Sequence, residues 1–524
     1  MGFQFPGNWP HFLLACYLYR GSASGHSETC SGVGWKTVAI NSSDSATTVI
    51  IGGGFVGLFT ALHLRHHQHA GPIVLVEPQA NFVFKPMLYE LLTEELPESV
   101  VCPSYEKLLA DSGIDIVQAR VADVQLKEKR LVLDSGQEQH YDYLVLAVGS
   151  VQGYLGAQGA AENAFAFRSQ TEAIALRDHL KACLEKSLTT ADQAEKERLL
   201  TVAIVGAGPA GVEMAATLAD LLPSWYVPMG GNINDLKIYL VNHAPGILAG
   251  DANSGLKRCA LEELQARTIP VTLKLGVGVK SVTPESLQFV ETGEEELRHL
   301  DTGTTIWTAG TAVNPLLKTL KEQIPAEELD RHGQPLVTST LQLPSFPQVF
   351  AAGDCVTVKD NPKPALAQIA YQQGAAIAKN LMAVHNGKPL VSPDPQLRGT
   401  LMKLGLNNGV ANLFDRVRIQ GKAGDLLRNA TYLELLPTPL HNFKSTTQWL
   451  AEETIDRFHR PHAPTAQELK WAAMTPAQRQ EHQGIKAIAI IAPLIFIVLL
   501  YLGFKTPERE RAPFVPQPSP GMNR

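Results

Sequence analysis

What this chain lacks narrows its chemistry first. Its six cysteines (Cys16, Cys30, Cys102, Cys183, Cys259 and Cys355) are scattered, and no two form a CxxC or CxxxxC pair. That spacing signals neither a zinc site nor a dithiol redox centre, and free thiols fit a reducing compartment. There is no long run of Lys or Arg, and the net charge is −6, so nucleic acid is not an expected partner. Charged residues make up only 18%, against 45% hydrophobic, which is the balance of a globular protein. With 524 residues, two or three domains are expected.

The two ends stand apart. Residues 1–46 are rich in Gly and Ser around one short apolar run, Phe12 to Tyr19. The run has the look of a signal-peptide core, but no Lys or Arg precedes it. Glu28, Asp44 and the scarcity of Arg argue against a transit peptide. The extension is expected to be disordered or a cleaved targeting segment. Near the other end, Ala487 to Phe504 is an 18-residue run without a charge, bounded by Lys486 and Lys505. At about 1.5 Å per residue a helix there spans roughly 27 Å, the thickness of a bilayer core. A membrane-inserted helix is therefore expected over 485–505, followed by a tail at 506–524.

The fold begins at "ATTVIIGGGFVGLFTALHL". A β-branched run meets Gly52, Gly54 and Gly57, spaced GxGxxG, and a helical pattern follows. In such a turn the first glycine bends the chain, the second admits a pyrophosphate, and the third lets helix pack on strand. The phosphates then sit on the N–H groups of the helix N-terminus. The next strand ends at Glu77, twenty residues after Gly57, where a carboxylate suits a ribose hydroxyl pair. The motif recurs at Gly206, Gly208 and Gly211 in "VAIVGAGPAGVEMAATLADLL". Its second strand comes late, after a long loop containing "PSWYVPMGGNIND", and ends at Asn242 where an acid is usual. Two dinucleotide sites imply two dinucleotides, one kept as a prosthetic group and one exchanged.

Two further strands end in small-residue turns, "HYDYLVLAVGS" at Gly149 and "TTIWTAGT" at Gly310. "LPSFPQVFAAGDC" delivers Gly353 and Asp354 to a turn where a carboxylate can accept from a flavin's ribityl hydroxyl. The helix after it, "ALAQIAYQQGAAIAKN", is apolar apart from glutamines, and Gln368 and Gln372 share one face four residues apart.

These features resemble the disulfide reductase superfamily, an α/β, two-dinucleotide-binding (Rossmann-like) flavoprotein fold, here with a C-terminal membrane-associated region. Within it, "NFVFKPMLYELL", "GAGPAGVE", "GDC" and "AQIAYQQG" resemble the type II NAD(P)H:quinone oxidoreductases, the non-pumping alternative NADH dehydrogenases. "FKPMLYELL" is most similar to the cyanobacterial and plastid branch. The resemblance implies a first FAD-binding part at 47–165, an NAD(P)H-binding domain at 166–305, and a second FAD-binding part at 306–385. A membrane-surface or quinone-side unit follows at 386–480. There, amphipathic helices on a membrane surface and a packing or homodimer element are both open readings.

The same resemblance implies roles. Gly52, Gly54, Gly57 and Glu77 hold the ADP part of FAD, Lys85 lines the flavin, and Asp354 binds the ribityl chain. Gly206, Gly208, Gly211 and Asn242 hold NADH or NADPH. Asn242 carries no charge to repel a 2′-phosphate, so NADPH is expected beside NADH. Glu213 has two readings: a carboxylate favoured by the helix dipole, or a nicotinamide contact or part of a proton path. Gln368 and Gln372 are expected either to donate to quinone carbonyls or to bond their own neighbours, while Ala365, Ala367 and Ala370 let the helix approach a flat ring. The implied acceptor is a membrane quinone of the plastoquinone, menaquinone/phylloquinone or ubiquinone type. The expected location is at a lipid bilayer, on the cytoplasmic or stromal side, and no metal is called for. The alternatives are a sulfide:quinone reductase-like enzyme, which needs a cysteine pair, and a slow-turnover flavoprotein redox sensor.

Overall fold

The structure, a computed structural model, describes residues 46–437 apart from 251–252, 398 and 414–416. The expected N-terminal extension and the apolar run at 487–504 lie outside the described residues. Among the described residues, no helix is long and apolar enough to cross a membrane.

The chain opens with strand β1 (Thr48–Ile51), helix α1 (Phe55–His66) and strand β2 (Ile73–Val76). The short helix α2 (Leu88–Leu92), β3 (Asp115–Val117) and β4 (Tyr143–Leu146) follow. β2, and β1 after its buried Thr48, read as apolar runs because both their faces are covered, and every residue in them is buried. A second αβ unit contains β5 (Thr201–Val205), α3 (Pro209–Tyr226), β6 (Lys237–Asn242), β7 (Thr272–Leu275) and β8 (Thr304–Trp307). These strands form their own parallel sheet in the order β7-β6-β5-β8.

The chain then goes back. Strands β9 (Gln342–Leu343) and β10 (Phe346–Ala351) join the first sheet, whose order becomes β9-β10-β4-β1-β2-β3. β10 runs parallel to β4, with Phe350 opposite Val145. The chain leaves and re-enters through an antiparallel ribbon in which Ser150–Gln152 pairs with Thr311–Val313. Gly149 and Gly310 sit just before the two ribbon strands, both at positive φ (61° and 73°). Helix α4 (Ala367–His385) then packs along α1 so closely that a Cβ on Gly374 would lie 2.6 Å from the Val56 carbonyl oxygen. A three-stranded antiparallel meander, β11 (Gly399–Lys403), β12 (Gly409–Leu413) and β13 (Val417–Gln420), leads into helix α5 (Gly421–Glu434).

One local expectation changes. The long loop before Asn242 is partly helix: α3 continues through Pro223 to Tyr226. Pro223 costs one backbone hydrogen bond, and the turn is kept by burial of Leu221, Leu222 and Tyr226, whose hydroxyl accepts from Ser187 Oγ at 3.1 Å. In the described part of the quinone-side unit, helix α5 packs inward. Leu433 and Leu436 join the core of the first sheet, and Arg428 is fully buried. The rest of that expected unit, 438–480, lies outside the described residues.

Candidate functional site

Both sheets end in the same device after a central parallel strand. Gly52 and Gly206 hold φ of 96° and 104°, where a side chain is strained and where a Cβ would strike Ala147 or Ala309. A Cβ on Gly57 or Gly211 would lie 1.9 or 1.7 Å from the carbonyl oxygen of the first glycine, so only glycine lets helix and loop close up. At Gly54 and Gly208 an added Cβ would meet nothing. These are the N-caps of α1 and α3; neither has a side-chain cap, and neither helix has an acidic residue in its first turn. Each site is thus an open hollow floored by uncapped backbone N–H groups, which suits a dinucleotide pyrophosphate.

The acid position is used alike in both copies. Glu77 Oε2 accepts from Gly53 N at 2.7 Å, and Oε1 accepts from Gln79 N at 2.9 Å. In the second copy Asn242 Oδ1 accepts from Ala207 N at 3.1 Å. Asn242 does a further job: its Nδ2 donates to the carbonyls of Ala244 and Gly246 and ties down the following turn. The neutral amide keeps the acceptor role of the missing acid and brings no negative charge.

At the end of β10, Gly353 (φ 76°) begins the turn that carries Asp354. Asp354 Oδ2 accepts from Ser150 Oγ at 3.1 Å, and the same serine accepts from Arg168 at 2.9 Å. Gln334 donates to the Asp354 carbonyl at 2.7 Å, and Gln373 Oε1 accepts from Gly353 N at 3.0 Å. A cavity of about 160 Å³ opens beside this turn, with Asp354, Thr311, Lys363, Ala365, Ala370 and Gln373 in its wall. Ala365 and Leu366, at the uncapped start of α4, also reach it. Lys85 is exposed in a short turn (Lys85–Met87), yet charged groups stand around it. Desolvation lowers its pKa first and Arg168 adds to this, while Asp354, Glu172 and Glu77 pull the other way.

The glutamines Gln368 and Gln372 are bonded within the chain. Gln372 spends its amide on the chain: Nε2 donates to the carbonyls of Gln368 and Gln396, and Oε1 accepts from Gln396 N. Gln368 Nε2 donates to the Gly399 carbonyl at 3.0 Å. Their shared face therefore holds Gln396 and Gly399, ahead of and at the start of β11, which is the geometry of the reading in which they bond their own neighbours. Gln373, one position on, is the glutamine that is buried and reaches the cavity wall. Of the small residues expected to face a ring, Ala365 and Ala370 line the cavity, while the later small positions pack on α1.

Glu213 also moves away from one of its readings. It lies beyond the first turn of α3, where a dipole effect fades. Its carboxylate instead accepts from Lys403 N at 2.8 Å. Burial pushes its pKa up to about 7, opposed by Arg428 and the Lys403 N–H. Around it lies a buried ionic cluster that sequence reading missed. Lys403 Nζ, fully buried, pairs with Glu90 Oε1 at 3.1 Å and Glu95 Oε2 at 2.5 Å. Arg428 pairs with the same Glu90 oxygen at 2.6 Å. Glu90 is held down at about 2: burial opposes this, and Arg428 and Lys403 more than offset it. Asp425, buried nearby, is pushed up to about 6, chiefly by desolvation. The one sequence signal for this cluster was a carboxylate, Glu90, inside the apolar run "MLYELL".

The four described cysteines, Cys102, Cys183, Cys259 and Cys355, are all free and buried. Cys355 beside Asp354 is a weak donor to the Leu146 and Ala352 carbonyls, and burial pushes its thiol up to about 12. Among the described residues no group of His, Cys, Asp and Glu is arranged to hold a metal.

Residues 46–374 match the family described as pyridine nucleotide-disulphide oxidoreductase. The chain is 33% identical over 418 residues to the demethylphylloquinone reductase NdbB of Synechocystis, a match spanning 78% of this chain and 96% of that protein. It is 31% identical over 441 residues to the alternative NAD(P)H-ubiquinone oxidoreductase C1, chloroplastic/mitochondrial, of Arabidopsis thaliana (78% of this chain, 81% of that protein). The chain belongs to the pyridine nucleotide-disulphide oxidoreductases, in the type II NAD(P)H:quinone oxidoreductase branch. It is an oxidoreductase. In fold it is similar to NDH2 of Plasmodium falciparum in complex with NADH, at TM-score 0.71 and 19% identity, covering 80% of this chain and 99% of that one. The sulfide:quinone oxidoreductase of Aquifex aeolicus shares the fold at TM-score 0.61 and 17% identity, over 74% and 90% of the two chains.

Proposed function

We propose that this oxidoreductase takes two electrons from NADH or NADPH and passes them through bound FAD to a membrane quinone, without pumping protons. The observation that carries this reading is the pair of open glycine hollows, each at the end of its own sheet. One hollow shares its sheet with the Asp354 turn and its cavity, which fits a resident flavin; the other fits an exchanged nicotinamide dinucleotide. FAD, when bound, supplies the two-electron chemistry.

The protein's own residues then have separable tasks. Gly52, Gly54, Gly57 and Glu77 cradle the ADP part, with Gly149 in the turn ahead of Ser150. Asp354, steadied by Ser150, Gln334 and Gln373, presents a carboxylate to the ribityl hydroxyls. Lys85 supplies a cation at the flavin edge. Gly206, Gly208, Gly211 and Asn242 hold the nicotinamide dinucleotide, with Gly310 on the returning ribbon. The names of the relatives, a ubiquinone and a demethylphylloquinone reductase, support a quinone as acceptor. A quinone tail dissolves in lipid, so the acceptor side opens near a bilayer. The charge-free run at 487–504 is the proposed anchor, with the catalytic part on the cytoplasmic or stromal side, and a segment with no Asp, Glu, His, Lys or Arg supplies no relay of such groups for protons.

The deciding experiment is stopped-flow absorbance on the purified protein. NADH or NADPH bleaches the flavin, and short-chain plastoquinone, menaquinone and ubiquinone analogues restore it at tens per second. Bleaching without reoxidation by any quinone turns the reading into that of a slow redox sensor.

A further inference from the structure

We propose that Arg428 is a positioning residue for electron transfer: from the C-terminal unit it fixes the chain on both sides of Lys85 and so sets where that ammonium stands at the cleft. The inference rests on the reading of the cleft as a flavin site.

Lys85 has a long flexible stem, and its turn is only three residues long. No hydrogen bond or ion pair holds its Nζ among the described residues, although Asp354, Glu172, Glu77 and Arg168 all bear on it electrostatically. Its position is therefore set by its backbone, which Arg428 grips directly at one carbonyl and braces through two flanking side chains. One guanidinium nitrogen donates to the Pro86 carbonyl at 2.6 Å, directly after Lys85. The other donates to Glu90 Oε1 at 2.6 Å, on α2. Before Lys85, the Phe84 ring meets Tyr432 edge-on at 5.9 Å, and Arg428 lies over the face of Tyr432 at 4.9 Å. Phe84 continues at 5.4 Å to Phe55, the first residue of α1, just past the glycine hollow.

A planar fork with donors on two sides can grip a carbonyl and a carboxylate at once; an ammonium on a flexible stem cannot do so with the same geometry. Arg428 is fully buried and more than 330 residues from its two partners, so the grip exists only when α5 is docked. A cation held at a flavin's edge favours the electron-rich reduced form. Release of the grip lets Lys85 drift, and the reduced form loses that support.

The test measures the midpoint potential of the bound flavin by dye equilibration in the wild type, Arg428→Met, Arg428→Lys, Lys85→Ala and the Arg428→Met/Lys85→Ala double variant, each full length with flavin loaded. Arg428→Met is expected to lower the reduced-to-oxidised ratio at fixed potential at least tenfold, about 30 mV for a two-electron couple. Arg428→Lys falls between. In the Lys85→Ala background the Arg428 change is expected to add less than twofold, because the ammonium it placed is gone. A full-sized shift in that background, or no shift in a folded flavin-bearing Arg428→Met protein, overturns the assignment. Where Arg428→Met does not fold, the same comparison with Arg428→Lys decides it. A wild type that takes up no flavin overturns the reading of the cleft and this inference together; a flavin-loaded wild type beside an unshifted variant overturns the inference alone.

Discussion

Glu213 Oε1 accepts the backbone N–H of Lys403 at 2.8 Å, joining the helix of the second glycine hollow to the first strand of the C-terminal meander, 190 residues away. The bond explains why a carboxylate sits in an otherwise apolar helix face. Burial, which this bond and Arg428 only partly offset, raises the Glu213 pKa from 4.5 to about 7.

That shift has a sign. A carboxyl whose folded pKa lies above its unfolded value stabilises fully below about pH 4.5 and loses that contribution as pH rises through about 7. Asp425 acts the same way between 3.8 and about 6. His63, lowered to about 4 chiefly by burial, works in the opposite direction below pH 6.5. The useful quantity is therefore a difference between two proteins. Glu213→Gln keeps an acceptor for Lys403 N and removes the titration. The Tm of the wild type minus that of Glu213→Gln is expected to be more positive at pH 5.5 than at pH 8, measured by thermal unfolding. Equal differences at both pH values refute the shifted carboxyl.

Asn242 leads to a prediction about the electron donor. Its amide N–H groups are committed to the Ala244 and Gly246 carbonyls and its oxygen to Ala207 N, and on the proposed reading it would bring no negative charge to a bound dinucleotide's adenosine ribose. NADPH turnover is expected to be within a hundredfold of NADH turnover. Asn242→Glu is expected to lower kcat/KM for NADPH at least tenfold relative to NADH, through charge repulsion and a freed 243–246 turn. Steady-state assays with both donors check this, and NADPH turnover below one hundredth of that with NADH in the wild type contradicts it.

Gln372 and Gln368 separate anchoring from substrate contact. Gln372→Ala removes three bonds to the 368 and 396 backbone, each contributing about 1 kcal/mol or less at this half-exposed position. It is expected to lower Tm and to leave flavin reduction by NAD(P)H unchanged. Gln368→Ala is expected to raise the quinone KM or slow flavin reoxidation, since its Gly399 bond holds the chain beside the acceptor-side helix. Stopped-flow on each half-reaction separates the two. A slowed reductive half-reaction in either variant places the glutamines elsewhere in the mechanism.

The glycine hollows were legible in the sequence because their requirement is steric and local: Gly57 and Gly211 must clear a carbonyl five residues earlier. Asp354 was legible for a similar reason, since a strand and a Gly-Asp turn define its place within a dozen residues. Helical periodicity put Gln368 and Gln372 on one face but said nothing of what that face meets, which is chain some 24 to 31 residues further on. The cations of the ionic cluster were invisible for a stronger reason. Lys403 and Arg428 find Glu90 across 313 and 338 residues, and nothing local to a lysine in a short strand or an arginine in a helix marks it as buried.

The last prediction concerns thiols and the competing sulfide:quinone reading. Cys355 is fully buried, Cys102 nearly so, and burial pushes both thiols up to about 12, so neither is a thiolate nucleophile near pH 8. The native, flavin-loaded protein is expected to resist iodoacetamide at both positions for as long as it stays folded, and to be alkylated at both once unfolded in guanidinium chloride, as read by peptide mass spectrometry. Cys355→Ala and Cys102→Ala are each expected to keep flavin reduction by NADH. Rapid native alkylation of Cys355, or loss of flavin reduction in either variant, puts a reactive cysteine at the flavin and returns sulfide:quinone chemistry as the better reading.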